Sequence, residues 1–161
     1  DILPSRGFRM HQISKEDVIE TFQMRSAIEG FCAHLIAREF RTEKAISTLS
    51  QLKNSLQKQQ EILVTTRNIE EFVEVDNEFH TLIISYAENR EFREIFHNYM
   101  YRIKDLARHS LMHTGRLETT LEEHNNMFKA MEKGDTEGIY RATLIHMETP
   151  KYINLNDILQ K

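Results

Sequence analysis

Only two prolines occur in this 161-residue chain, Pro4 and Pro150, and they stand near its two ends. Nothing in the long stretch between them forbids a helix, and only five glycines interrupt the whole chain. Apolar residues in that stretch recur every three or four positions, the period of a helix buried on one face. After residue 14 there is no strand alternation, no fixed-period repeat and no low-complexity tract. The chain reads as all-α.

Capping signals divide the pattern into six helical segments. The first starts at Ser14, with Asp17 as acidic partner, and carries Val18, Phe22, Arg25, Ile28, Cys32 and Leu35 on its stripe before ending at Phe40 to Thr42. Thr42 caps the second, whose stripe is Ala45, Leu49, Leu52, Leu56 and Leu63; its other face of Lys, Gln, Asn and Ser reads as plain solvated surface. Asn68 with Glu71 opens the third in the manner of a capping box. Asn89 opens a long fourth helix through Phe92, Phe96, Ile103, Leu106 and Ser110, ended by Thr114-Gly115. A fifth runs from Leu117 to Gly134, and Asp135 caps a sixth that Pro150 closes or kinks. Residues 1–14 lack helical period, and the tail from 150 to 161 is weakly determined.

Composition sets limits. With 29% charged and 40% hydrophobic residues the chain can bury a real core. A net charge of −4 argues against a nucleic-acid grip by its own surface. Cys32 is the single cysteine and falls in an apolar run, so it reads as a buried small hydrophobe in a reducing, cytoplasmic setting. No apolar stretch approaches 18 residues, which gives no sign of a membrane span.

Four residues break the apolar stripes in a shared way. Asp76 and His80 are i and i+4 on the third helix; His124 and His146 lie on the fifth and sixth, joined by the short Gly134-Asp135 turn. A lone histidine on an apolar face is usually a satisfied core residue. Four such groups without partners would cost several kcal/mol to bury, and a shared divalent ion explains them together. Imidazoles and a carboxylate suit zinc, nickel, manganese or iron. Arg25 and Arg102 also interrupt stripes. Each either snorkels to water, pairs with an acid such as Glu29, or clamps an anionic small molecule beside the metal. His97 and His11 read as exposed. His109 and His113 flank a helix end, and His34 lies at a boundary.

The run Phe22-Gln-Met-Arg25-Ser-Ala-Ile-Glu29-Gly30 resembles the opening helix of the effector-binding FCD domain of FadR-type GntR transcription regulators. Asp76-Asn-Glu-Phe79-His80 followed by Ala87-Glu-Asn89, and Glu123-His124, Gly134-Asp135 and His146, resemble its D-x-x-F-H helix and closing helix pair. The likeness covers roughly residues 15–149. It implies an antiparallel bundle of six to seven helices with a metal site inside, held by Asp76, His80, His124 and His146. It further implies a small carboxylate effector beside the metal, with Arg25 and less securely Arg102 as ligand-binding residues. A homodimer is implied too, with operator DNA bound by an N-terminal winged helix-turn-helix. Residues 1–14 then read as the end of that missing domain and a linker, 15–149 as the FCD domain, and 150–161 as a C-terminal tail.

Two rivals remain. A metalloenzyme on a helical bundle is disfavoured because no HExxH exists and the residues three before His80, His124 and His146 are Asn77, Leu121 and Thr143 rather than Glu, and Glu78 and Glu123, though adjacent to ligands in sequence, are expected to point elsewhere. A metal-free dimerisation module would show no stoichiometric metal.

Overall fold

The computed structural model describes residues 12–161; the readings placed on residues 1–11, including the wing remnant and His11, lie outside it. Seven helices follow one another: α1 (Lys15–Arg38), α2 (Glu43–Val64), α3 (Ile69–Ser85), α4 (Arg90–Asn98), α5 (Met100–Leu111), α6 (Arg116–Lys133) and α7 (Thr136–Leu159). They form an all-α antiparallel bundle, with no strand among the described residues. α1 packs along α7, α6 lies against α7 and α2, and α3 is held between α2, α1 and α5.

The caps follow the side chains named above. Ser14 and Asp17 complete a reciprocal capping box. Thr42, Asn68, Asn89 and Asp135 each accept from the backbone N–H three residues on. Only half of the Asn68 box forms, because Glu71 turns to the Thr66 hydroxyl instead. Gly134 ends α6 at φ 71°, and a Cβ there would lie 2.6 Å from the Phe40 ring, so both backbone and neighbour require glycine. Gly115 is also left-handed, at φ 80°, but it opens α6; α5 has already ended at Leu111.

Two helix boundaries differ from the sequence reading. The long fourth helix is broken in two at Tyr99, whose backbone sits at φ −97°, ψ 4°. One non-helical residue barely disturbs a three-and-four spacing, so the apolar pattern runs through the break. Pro150 does not end the last helix: α7 continues to Leu159. Proline removes one intrahelical hydrogen bond, and tertiary contacts offset that loss. Leu155 and Ile158 pack against Val18, Phe22, Leu106 and Met147. The Asn154 amide donates to the carbonyls of Pro150 and Leu106, at 2.8 and 3.1 Å. His113 bonds Asp157 at 2.9 Å beyond the proline.

Three apolar clusters make up the interior. The largest joins α1, α2, α3 and α6 through residues such as Ile36, Leu52, Phe79 and Met131. The second is the Val18, Phe22, Leu106 and Met147 group, and the third gathers Phe72, Val73, Leu111 and Leu117. Cys32 is fully buried in the first, where burial pushes its thiol up to about 12, as expected for an inert side chain. The polar group described next lies where the clusters meet: Phe79 stacks on His124 at 4.4 Å, while Phe22 and Leu111 line the cavity beside Asp76.

Candidate metal centre

Asp76 and His80 stand one turn apart on α3, as their spacing dictates. His124 projects from the middle of α6 and His146 from α7, brought face to face by the tight Gly134-Asp135 turn. All four are buried, and one donor atom from each lies within 4.8 Å of the others. The three Nε2 atoms form a near-equilateral triangle: His80 to His124 3.2 Å, His124 to His146 3.2 Å, His146 to His80 3.1 Å. An Asp76 carboxylate oxygen is 3.3 Å from the His124 Nε2 and 3.7 Å from that of His80.

The opposite nitrogens are each occupied. The Nδ1 of His124 bonds the Gln59 side-chain oxygen at 2.7 Å, and that of His146 bonds Glu123 at 2.7 Å. The Nδ1 of His80 is in ion-pair contact with Glu29. An acceptor at Nδ1 places the ring proton there and leaves the Nε2 lone pair facing inward. With all three imidazoles neutral, three lone pairs and a carboxylate oxygen therefore converge with no donor among them. A proton on one Nε2 would serve one or two of them; a cation serves all four. Edges of 3.1–3.2 Å suit an ion held at about 2.0–2.1 Å from imidazole nitrogen. The donor set fits zinc, nickel, manganese or iron.

Electrostatics follow the same layering. Burial disfavours the Glu29 carboxylate, but Arg25 and His80 outweigh it and hold it at about 2. Asp76 is likewise held well below the usual carboxylate range, against the effect of burial, by His80 and its neighbours. Burial drives His124 and His146 down, so both are neutral. His80 moves the other way: desolvation opposes its charge, yet Glu29 and Asp76 raise it to about 9.

Beside the donors lies a small cavity, closed by Phe22, Leu111 and Pro150 and bordered by Asp76 and His146. Arg25 lines it, but its guanidinium is bound to Glu29 at 2.7 Å; of the readings weighed for it, the buried ion pair is present. Arg102 does not reach this cavity. It pairs with Asp17 at 2.9 Å and lies over the Tyr99 ring. His97 is exposed, and His109 and His113 are half-exposed against Asp105 and Asp157.

The reading of Glu123 needs correction: it points inward, bridging His146 to Arg116 at 2.7 and 2.9 Å. Glu78 does point away, to Lys58. Gln59, Arg116 and Thr120 were missed altogether. For Gln59 a signal existed. It fills the six-residue gap between Leu56 and Leu63 in the α2 stripe and is fully buried, so that helix is not plainly half core and half surface.

A family model described as the FCD domain matches residues 20–149. The chain belongs to the FCD domain family. Over 147 residues this FCD domain is 29% identical to the HTH-type transcriptional repressor RspR of Escherichia coli K12, covering 91% of the chain and 62% of that protein. It is 25% identical over 144 residues to the HTH-type transcriptional regulator YdhC of Bacillus subtilis 168, covering 87% of the chain and 61% of the relative. The chain thus spans about three-fifths of the length of these relatives. Among solved structures, the metal-free FCD domain of TM0439 superposes with a TM-score of 0.75 at 17% identity, covering 94% of this chain and all of that one; the fold is shared. Both relatives are named as HTH-type transcriptional regulators, which favours the regulator reading over the metalloenzyme. No helix among the described residues is long and apolar enough to cross a membrane.

Proposed function

We propose that this FCD domain is the metal-dependent, carboxylate-sensing and dimerising part of a bacterial, cytoplasmic GntR-family regulator. Asp76, His80, His124 and His146 hold a divalent ion, with zinc, nickel, manganese and iron as the candidates by ligand type. When bound, the ion would supply positive charge and a Lewis-acid centre for a carboxylate oxygen. The chain's own residues do the rest. Glu29, Gln59 and Glu123 fix the three imidazoles, and Arg25 lines the cavity where the acid would sit. Arg102, tied to Asp17 on α1, is closer to a brace between α5 and α1 than to a clamp.

The observation that carries the reading is the triangle of inward Nε2 atoms whose Nδ1 partners are already in place. An arrangement of lone pairs at 3.1–3.2 Å is stable only around something positive. Operator DNA would be bound by a winged helix-turn-helix N-terminal to this domain, in a homodimer. Effector occupancy biases that dimer only through its differential affinity for two helix arrangements.

Elemental analysis of protein purified without chelator tests the first step, with one equivalent of metal expected. Absence of stoichiometric metal, together with a melting temperature indifferent to zinc, would leave the metal-free dimerisation module as the correct reading.

A further inference from the structure

Arginines and lysines over most of this bundle face a carboxylate, as Arg67 faces Glu118 and Lys104 faces Glu74. Lys129 and Lys133 on α6 and Arg141 on α7 do not. All three are exposed, and none has a hydrogen bond or ion pair with a described residue. Lys129 and Lys133 stand i and i+4 on one helix face, where like charges repel. The three line one groove of about 340 Å³ between α6 and α7, on the outside of the bundle. The two carboxylates that border it are already committed. Asp135 accepts from the Gly138 N–H at 2.8 Å, and Glu123 bridges Arg116 and His146 at 2.9 and 2.7 Å. The groove therefore carries unmatched positive charge on a chain whose net charge is −4.

Between these cations the lining is small and apolar: Ala130 on α6, Gly138 and Ala142 on α7. Gly138 and Ala142 are i and i+4, and Ile145 follows at i+7 with its side chain 61% exposed. Small residues let a neighbouring helix approach closely, and Ile145 gives it an apolar contact at one end. From Glu123 to Lys133 the groove follows about ten residues of α6, roughly 15 Å at 1.5 Å per residue. That length seats a short docked helix.

Charge separates the possible occupants. A second copy presenting the same face across a twofold axis would set cations against cations. A nucleic-acid backbone would meet the negative field of the whole chain and an apolar floor. An acidic amphipathic helix answers both features of the groove. Its apolar side chains, spaced by three and four, cover Ala130, Ala142 and Ile145, and carboxylates on its flanks meet Lys129, Lys133 and Arg141. We infer that the α6–α7 groove is a docking site for an acidic amphipathic helix of a partner protein. Neither the metal nor an effector enters this inference, so it stands or falls apart from the function proposed above.

The test begins with selection of short helical peptides from a random display library on the full chain. Affinities of the enriched peptides are then read by fluorescence anisotropy. Those peptides are expected to carry Asp and Glu beside apolar residues spaced by three and four. Lys129→Glu combined with Arg141→Glu should weaken them at least about tenfold, and Ile145→Ser about fivefold. Changing the peptide acids to Lys should restore binding to the doubly reversed variant, which loss of fold could not do. All three positions are exposed, so the melting temperature should stay at the parent value. An empty selection, enriched peptides without acids, or binding indifferent to these substitutions overturns the inference. If sedimentation shows parent dimers that Ile145→Ser or Arg141→Glu separates, a second copy holds the groove and the acidic partner is ruled out.

Discussion

The two walls of the polar interior treat hydrogen bonding in opposite ways. On the donor side every imidazole is doubly committed, Nδ1 outward to Glu29, Gln59 or Glu123 and Nε2 inward to the common centre. On the α5–α6 side Ser110, Arg116 and Thr120 keep polar atoms unmatched. A site braced in two layers suits an occupant that stays; a wall with idle donors suits one that comes and goes. Under the proposed function the contrast is between a structural and an exchangeable ligand, built within one cavity.

The severest way to break this contrast is His124→Ala. It deletes an Nε2 at the hub of the triangle and strands the Gln59 oxygen. Zinc affinity is expected to fall by more than about 100-fold, beyond the range for outer partners. Parent protein in zinc at 100 times its Kd gains about 2.7 kcal/mol, or roughly 5–10 °C in Tm for a domain of this size. A chelator should erase that gain in the parent and do nothing to the variant. Equal chelator responses in the two would show that the ion is bound elsewhere.

Next in size is Gln59→Leu, which keeps all four donors and removes only an outer brace. Zinc should bind about 10- to 100-fold more weakly, read by competition with a chromophoric chelator. If affinity holds while Tm rises, Gln59 is a core defect rather than a brace, and the two-layer account fails on that side.

The pH dependence of the metal-free protein sharpens the picture. His80 is raised to about 9, so its stabilisation is complete below about pH 6.5 and lost as pH climbs through 9. His124 and His146 are lowered, so the unfolded chain takes up protons that the folded one refuses, and stability also falls as pH drops below about 6.5. Metal-free protein should therefore melt highest near pH 6.5. Zinc needs the His80 Nε2 without its proton, so loading at pH 7 should release about one proton and move the optimum upward. Calorimetry in buffers of differing ionisation enthalpy counts that proton.

Legibility in the sequence follows the same division. The donors announced themselves because Asp76, His80, His124 and His146 sit inside apolar stripes, where a polar residue has to be explained. Ser14, Thr42, Asn68, Asn89 and Asp135 were legible because capping is a local reaction of side chain with backbone. The outer partners were not. A glutamate at 29 or 123 has the same helical spacing whether it meets water or an imidazole, and only the packing of α1 on α3 and of α6 on α7 decides. Gln59 hid among the glutamines of α2, betrayed only by the missing apolar residue between Leu56 and Leu63. Tyr99 and Pro150 misled in opposite directions. A one-residue break leaves periodicity intact, and a proline persists inside α7 because Leu155, Ile158 and Asn154 hold the helix beyond it.

The smallest effect separates two serines of the same chemistry. The Ser55 hydroxyl on α2 donates to the Val75 carbonyl at 3.3 Å and is met by the Gln59 amide at 3.5 Å. The Ser110 hydroxyl, equally buried, meets nothing in the protein. Alanine at 55 removes that bond and the acceptor that the Gln59 amide meets, so a cost of about 1 kcal/mol is expected. Alanine at 110 removes a desolvated hydroxyl with no bond to lose, so in ligand-free protein the change should lie between nothing and a gain of about 1 kcal/mol. Urea unfolding of the two variants without added acid reads the difference directly. If Ser110→Ala costs as much as Ser55→Ala, its hydroxyl is already satisfied in the resting protein, and the α5–α6 wall is as fully committed as the donor side it faces.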